Sequence, residues 1–560
     1  MTKVNFAEIQ PETPSLESVK AEYQSINTVL DRAKTNTELE RALQKWEDLR
    51  RYLASWKELT GLRFTQDTRN KTYKQAKEYC DEVQPKLTAL EIEMKRKLLA
   101  SEKRAELAEI LGQHALNLWE ADVTTFEPII EADLVKESKL VDRYTELIAS
   151  AAIEFKGETL NLASIAKYTQ DRDRPTRHQA EIARWNFFSQ NKTDLDDIFD
   201  RLVKLRHQMA KKLGYDNYIG LGYKLMQRVD YTQADVARYR EEVVNRVVPL
   251  ARKIIAQKAK KLNLDRVYFW DESIGDLLGN PAPQGEYNLV LSQAQTMFDR
   301  MHPEFGDFFK MMVDADLMDL KTRPGKANSG FCTSFPTYGV PYIFANFNGT
   351  KDDIEVFTHE MGHAFQAWQS RNLSLDYQWP TSESAEIHSM GLEFLTWPQM
   401  DLFFAADADR FREIHLAQYI LFLPYGCAVD HFQHLVYANP EATPEQRNQM
   451  WQEMENLYLP WRDYGDLEYP AQGGLWQQKL HIYCYPFYYI DYTLALCCAM
   501  QFWLQAESDF DRTLGEYIAL CQRGGKIPFQ ELVKSANLIS PFESNCLADV
   551  VDRAAQFLKL

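Results

Sequence analysis

Two histidines four residues apart, with a glutamate directly after the first, stand in the run His359-Glu360-Met361-Gly362-His363. Residues four apart share one face of an α-helix, so both imidazoles can reach a single Zn²⁺ while Glu360 points toward water at the metal. The ion would acidify that water and polarise a scissile carbonyl, and the glutamate would take the water proton and hand it to the leaving amine. The pattern predicts zinc-dependent hydrolysis of a peptide bond. A histidine pair that merely packed in a core would not require a glutamate between them.

The flanking sequence predicts a helix to carry the motif. Asn348-Gly349-Thr350 is a turn signal, and Asp352, Asp353 and Glu355 put acid where a helix begins. Ile354, Phe357, Met361, Ala364, Phe365 and Trp368 then form a broad apolar stripe. Glu355, one turn before His359, is placed either to accept the second ring N–H of His359 or simply to satisfy the helix dipole.

A catalytic zinc takes three protein ligands and keeps one position for water. The metzincin arrangement is excluded, because Gln366 and Gln369 stand where that class has glycine and histidine. A carboxylate from a later helix is expected instead. Residues 381–394 open with hydroxyl side chains suited to an N-cap and continue as a mostly apolar run that offers Glu383, Glu386 and Glu393. Spacing alone does not choose among the three; Glu386 and Glu393, seven apart, share a face.

The chain resembles the thimet oligopeptidase family of zinc metallopeptidases, in particular its oligoendopeptidase F branch. Glu386, Ser389 and Glu393 match the family's Glu-x-x-Ser-x-x-x-Glu pattern. Residues 206–218 resemble its Arg-x-x-x-Ala-x-x-Leu-Gly-Tyr-x-Asn-Tyr stretch, Trp270-Asp271 its Trp-Asp pair, and 331–350 the strand region before the active-site helix. The likeness runs from about residue 165 to the C-terminus. It implies that His359, His363 and Glu386 hold one Zn²⁺ per chain, with Glu393 behind them. It also implies two helical lobes flanking a deep substrate channel with zinc on its floor.

Further on, His481-Ile482-Tyr483-Cys484-Tyr485-Pro486-Phe487-Tyr488-Tyr489-Ile490-Asp491-Tyr492 is dense in imidazole and phenol groups. In a protein without a metal site such a run reads as aromatic core. Beside a zinc it would supply donors for the oxyanion of a tetrahedral intermediate. The family resemblance assigns that task to a histidine and tyrosines on a late helix. Tyr485, Tyr489 and Tyr492 reproduce its four-then-three spacing, but His481 stands one residue nearer the first tyrosine. His481 and Tyr492 rank first as donors, Tyr485 and Tyr489 next, with Tyr488 able to replace one of them in holding substrate. His388, about 200° round the helix from Glu386, is read as supporting the site or touching substrate. The run 339–344, with Gly339 and Tyr342, reads as a strand beside the cleft on which an extended peptide could pair, or as a buried strand.

These elements belong to 560 residues, 45% hydrophobic and 26% charged, with net charge -17. That balance fits a globular protein of several subdomains and argues against nucleic acid as partner. The N-terminus lacks a secretory pattern, no apolar run is long enough to span a membrane, and eight cysteines without Cys-x-x-Cys spacing read as free thiols. A cytoplasmic enzyme is expected.

Residues 1–165 read as an N-terminal helical region and 166–560 as the catalytic domain. Thr35 to Glu38 forms a capping box, followed by Leu39, Leu43, Trp46, Leu49, Leu53 and Trp56 at helical steps. A break is expected at 172–177, helices at 194–212 and 233–262, an irregular stretch at 271–287, and the only strands at 326–347. The predicted fold is mainly α, with a small β-sheet beside the active-site helix. The predicted activity is cleavage of internal bonds of short unstructured peptides. A helical zinc carboxypeptidase and a catalytically silent peptide binder are the rivals.

Overall fold

The computed structural model describes residues 4–285, 287–323, 325–327 and 329–560. Helices dominate. Leu16–Arg32, Asn36–Gln66, Lys71–Leu99 and Gln113–Val123 pack around Trp46, Trp56, Leu87, Met94 and Trp119, a core of their own. The second of these begins at the expected capping box, with Thr35 and Glu38 each satisfying the other's backbone N–H. Later helices enclose a larger core that also takes in Phe6, Ile9 and Ile130 from the N-terminal part. Helical lobes thus flank the active-site elements, and the mainly α architecture is as the sequence predicts.

A buried ion pair ties the first core to the segment that follows the histidine-motif helix. Arg50, buried on the helix Asn36–Gln66, makes a bidentate pair at 2.9 and 2.6 Å with Asp376, and Trp119 Nε1 donates to the same carboxylate at 2.9 Å. Asp376 lies just beyond the helix that carries the histidine motif. Although burial raises its pKa, the charge and hydrogen bonds of Arg50 overcome this and hold it at about 2.

The break expected at 172–177 is present, with Asp173 capping a helix that starts at Arg174. Helices Lys192–Lys212, Gln233–Glu242 and Val248–Lys261 follow, the last two joined by one wider π turn. Two strand predictions need correction. A hairpin of β1 (Ile153–Phe155) and β2 (Glu158–Leu160) precedes the expected strand region. The main sheet also takes in β3 (Met318–Lys321), beside β4 (Phe331–Phe335) and β5 (Val340–Phe347) in the order β3-β5-β4.

β5 is therefore the central strand, parallel to β3 and antiparallel to β4. With both edges taken it cannot accept a peptide. Tyr342 is buried, its ring 4.4 Å from that of Phe6 and its hydroxyl accepting from Gln66 Nε2 at 3.0 Å. Gly339, at φ +64°, turns the β4–β5 hairpin at the end away from the motif. Neither residue is placed to touch substrate. The edge strands are β3 and β4, and the approach to β4 does reach the site: a Cβ on Gly330 would lie 3.8 Å from Glu360 Oε1.

Candidate active site

The motif lies in the helix Lys351–Gln369, which starts as the turn and acidic residues predict. Asp353 accepts the N–H groups of Asn348 at 3.0 Å and Gly349 at 2.7 Å, closing the turn into the first helical residues. The second helix, Ser382–Leu395, is buried from Glu383 onward and packs across the first. Gly362 makes the crossing possible, because a Cβ there would meet His388 O at 2.4 Å and Ser389 Cα at 2.7 Å.

This approach brings Glu386 to both imidazoles. Its Oε2 lies 3.2 Å from His359 Nε2 and 3.4 Å from His363 Nε2. Donor atoms of the three residues all fall within 4.8 Å of one another. Ligand bonds of about 2.0–2.1 Å at tetrahedral angles separate donors by roughly 3.3–3.4 Å, so the set fits a zinc-sized ion with one position left open. Glu383 takes no part: it is buried near Asp491, and burial followed by that charge pushes its carboxyl up from the usual range.

Glu393 anchors the arrangement. His359 Nδ1 is 2.8 Å from its Oε1, while His415 Nε2 at 2.9 Å and the Tyr419 hydroxyl at 2.5 Å both reach its Oε2. Trp397 Nε1 donates to His415 Nδ1 at 3.1 Å, which leaves the His415 hydrogen on Nε2 to donate to Glu393. Burial opposes ionisation of Glu393, but the hydrogen bonds of His359 and His415 prevail and hold it at about 2. A carboxylate so fixed accepts a hydrogen bond from His359 Nδ1–H and leaves Nε2 facing Glu386. Ser389 in turn donates to Glu386 Oε2 at 2.9 Å.

The expectation that Glu355 supports His359 is not met. Lys351, one turn earlier, captures both Glu355 oxygens at 2.8 Å and also reaches Gln418 at 2.9 Å. His388 is fully enclosed, its ring 6.4 Å from that of Tyr517, and burial lowers its pKa to about 4. Closed off in this way, it meets no substrate.

Glu360, on the same turn as the two histidines, is buried, and its Oε2 has no hydrogen-bond partner among the described residues. Burial raises its pKa, an effect partly offset by the two imidazoles. Cys332 lies close enough for the charge of Glu360 to add to the burial that keeps its thiol protonated. Trp379 is half-exposed, with its ring 5.6 Å from that of His363, and forms a wall of the site.

The aromatic run divides between site and surroundings. The Tyr488 hydroxyl donates to Glu386 Oε1 at 2.6 Å, and Tyr492 stacks edge-on against Tyr488 at 5.0 Å. His481 lies 5.8 Å, ring to ring, from each of these tyrosines, and burial lowers its pKa to about 4, so it is neutral. Tyr485 is exposed, whereas Tyr489 is buried with Lys479 4.9 Å over its ring and Phe422 and Tyr425 alongside. Tyr488, ranked low from the sequence, thus makes the direct contact. Tyr419, His415 and Trp397 were not anticipated; the only available signal was that His415 and Tyr419 share a helical face.

A mainly helical chain with a His-Glu-x-x-His helix crossed by a glutamate helix has the architecture of a metallopeptidase. Comparison with known proteins agrees. Peptidase family M3 matches residues 167–550 and the peptidase M3 N-terminal domain matches residues 6–126. The chain belongs to peptidase family M3. It is similar over 99% of both chains to the structure of PZ peptidase A with an inhibitor, at 41% identity and TM-score 0.96. It is similar to a putative oligoendopeptidase F from Bacillus anthracis str. Ames, at 37% identity and TM-score 0.91, over 99% of this chain and 98% of that one. Oligopeptidase PepF of Bacillus subtilis (strain 168) is 22% identical over 339 residues, or 55% of this chain and 48% of PepF. That match therefore spans about half the length of PepF.

Proposed function

We propose that the protein is a zinc-dependent oligoendopeptidase that hydrolyses internal bonds of short unstructured peptides. The observation that carries this reading is the convergence of His359, His363 and Glu386 on one point, with Glu360 buried on the same helical turn. Bound there, Zn²⁺ would supply Lewis acidity to water and to the scissile carbonyl. Glu360 accepts a proton from the attacking water; its desolvated carboxylate makes it a stronger base than an exposed one. The same side chain then protonates the departing amine.

Tyr492 donates a hydrogen bond to the oxyanion, Tyr488 turns its one O–H from Glu386 to the oxyanion as charge develops there, and neutral His481 adds a ring N–H to the same donor set. β4, entered from Gly330, has a strand partner on only one side among the described residues and offers its other edge to the substrate backbone. Trp379 bounds the side-chain space beside His363. Folded proteins have no extended segment to lay in such a site, which restricts substrates to oligopeptides. Among the described residues no helix is long and apolar enough to cross a membrane, and the net charge of -17 disfavours nucleic acid. We place the enzyme in the cytoplasm.

The test is a ten-residue peptide, acetylated and amidated, incubated with metal-loaded wild type and with Glu360→Gln and read by mass spectrometry. Internal fragments are expected from wild type. Glu360→Gln should bind metal equally while losing about 10²–10⁴ in kcat. Trimming of the unblocked peptide alone would favour a carboxypeptidase, and cleavage of neither would overturn the enzymatic reading.

A further inference from the structure

The tyrosine that reaches Glu386 follows a residue with an unusual backbone. Phe487 has φ +66°, a left-handed conformation that L side chains other than asparagine and aspartate rarely adopt. Such outliers persist only where the surroundings over-determine them, and they concentrate at functional sites. Here both peptide groups of Phe487 are held by side chains from elsewhere in the chain. Arg228 Nη2 donates to Phe487 O at 2.6 Å, and the Phe487 N–H donates to Gln433 Oε1 at 2.9 Å.

The clamp is closed from the other side as well. The same Arg228 nitrogen donates to Asp491 Oδ1 at 2.7 Å, spanning from the joint to the first turn of the helix Tyr489–Ser508. Both side chains of this ion pair are completely buried, and the Arg228 guanidinium lies 4.4 Å over the ring of Tyr223. The Phe487 ring is seated against Gly222, where a Cβ would stand 2.6 Å from Phe487 Cδ2. A buried arginine is costly unless paired, and this one spends its pairing on a carbonyl and a carboxylate either side of Tyr488.

We infer that Arg228, with Asp491 and Gln433, is a positioning residue for the reaction. It locks the Phe487 joint so that the Tyr488 hydroxyl is held beside Glu386, within reach of the developing oxyanion to which its one O–H turns. This inference rests on the role proposed above for Tyr488. Arg228 touches no reacting atom; it acts by removing the backbone freedom that would let Tyr488 swing away.

Three variants test it: Tyr488→Phe, the paired Arg228→Met/Asp491→Asn, which removes both charges together, and Gln433→Met, which leaves the ion pair intact. In metal-loaded enzyme the paired variant should lower kcat at least tenfold with KM within threefold of wild type. Adding Tyr488→Phe to it should cost almost nothing more, since the hydroxyl is already misplaced. In metal-free protein, amide hydrogen exchange should quicken at least tenfold in residues 485–491 and stay unchanged in the helix Lys351–Gln369. If the paired variant does not fold, Gln433→Met carries the same expectations on a smaller scale. Wild-type kcat in both clamp variants, losses that multiply with Tyr488→Phe, or exchange that rises evenly through the protein would each overturn the inference. If Tyr488→Phe is impaired while the clamp variants are not, the inference alone fails. If Tyr488→Phe turns over like wild type, the role assigned to that tyrosine fails with it.

Discussion

Replacing Glu393 by glutamine tests how the metal site is built, because the change is nearly isosteric and alters only donors and acceptors. In the native protein three donors converge on this carboxylate: His359 Nδ1–H, His415 Nε2–H and the Tyr419 hydroxyl. Glutamine offers one acceptor oxygen and an NH₂ that can only donate. If its NH₂ faces His359, the imidazole must move its hydrogen to Nε2 and loses the lone pair aimed at the metal. If its oxygen faces His359, the NH₂ meets His415, whose other nitrogen is already committed to the indole of Trp397. The first case gives up the metal bond of His359, and the second leaves a buried donor unpaired at a cost of about 1–3 kcal/mol. Loss of the group that orients a metal-bound histidine weakens metal binding about 10–100-fold, or roughly 1.4–2.7 kcal/mol. The two figures agree. The assay is zinc titration against a competing chelator, with turnover measured separately at saturating metal. The expected result is a Kd raised 10–100-fold with kcat at full occupancy reduced less than tenfold. A Kd within threefold of wild type would show that Glu393 does not set the His359 tautomer.

Two further outcomes follow from the packing around the site. Gly362→Ala should force the two active-site helices apart, since the new methyl meets backbone rather than a flexible side chain; a loss of about 1–3 kcal/mol and weaker metal retention are expected, and unchanged Tm with unchanged affinity would refute the tight crossing. Asp376, held at about 2 in the folded protein against 3.8 ordinarily, contributes stability that is present above its unfolded pKa and lost as pH falls through about 2. The difference corresponds to about 2 kcal/mol, so Asp376→Asn should lower stability by that order at pH 7 and flatten the decline between pH 4 and 2 in acid-denaturation curves. An acid profile identical to wild type would mean that the Arg50 pair does not survive in solution.

What could be read from the sequence depended on how local the determining contact is. His359, Glu360 and His363 were legible because a helix converts their spacing directly into a shared face. The capping at Thr35 and the turn before Lys351 were legible for the same reason. The partner of Glu355 is also local: Lys351 stands four residues earlier, at the distance where a helix pairs opposite charges, and that pairing competes with any reach toward His359. The strand β3 (Met-Asp-Leu-Lys) carries no β-branched residue, and only its partner β5 makes it a strand. β1 and β2 are three residues each, joined by Lys156 and Gly157 at positive φ, too short for alternation to register.

Spacing alone does not assign the roles of side chains whose part is given by distant partners. Glu393 and Glu383 are indistinguishable as residues on one buried helix, yet the first meets an imidazole pair and a phenol and ionises readily, while the second faces Asp491 and resists ionisation. Their opposite shifts come from neighbours contributed by other helices, which no spacing within the helix encodes. Tyr488 illustrates the same point for geometry. Four tyrosines within eight residues offer several helical faces, and a regular helix through 485–492 would favour the 485, 489, 492 stripe. The left-handed turn at Phe487 breaks that register and delivers Tyr488 to Glu386. The turn is held by Arg228 and Gln433, which stand 259 and 54 residues away in sequence. Spacing within the run therefore places Tyr492 but not the contact of Tyr488 with Glu386, because the residue that decides the register lies on neither the helix nor the loop it shapes.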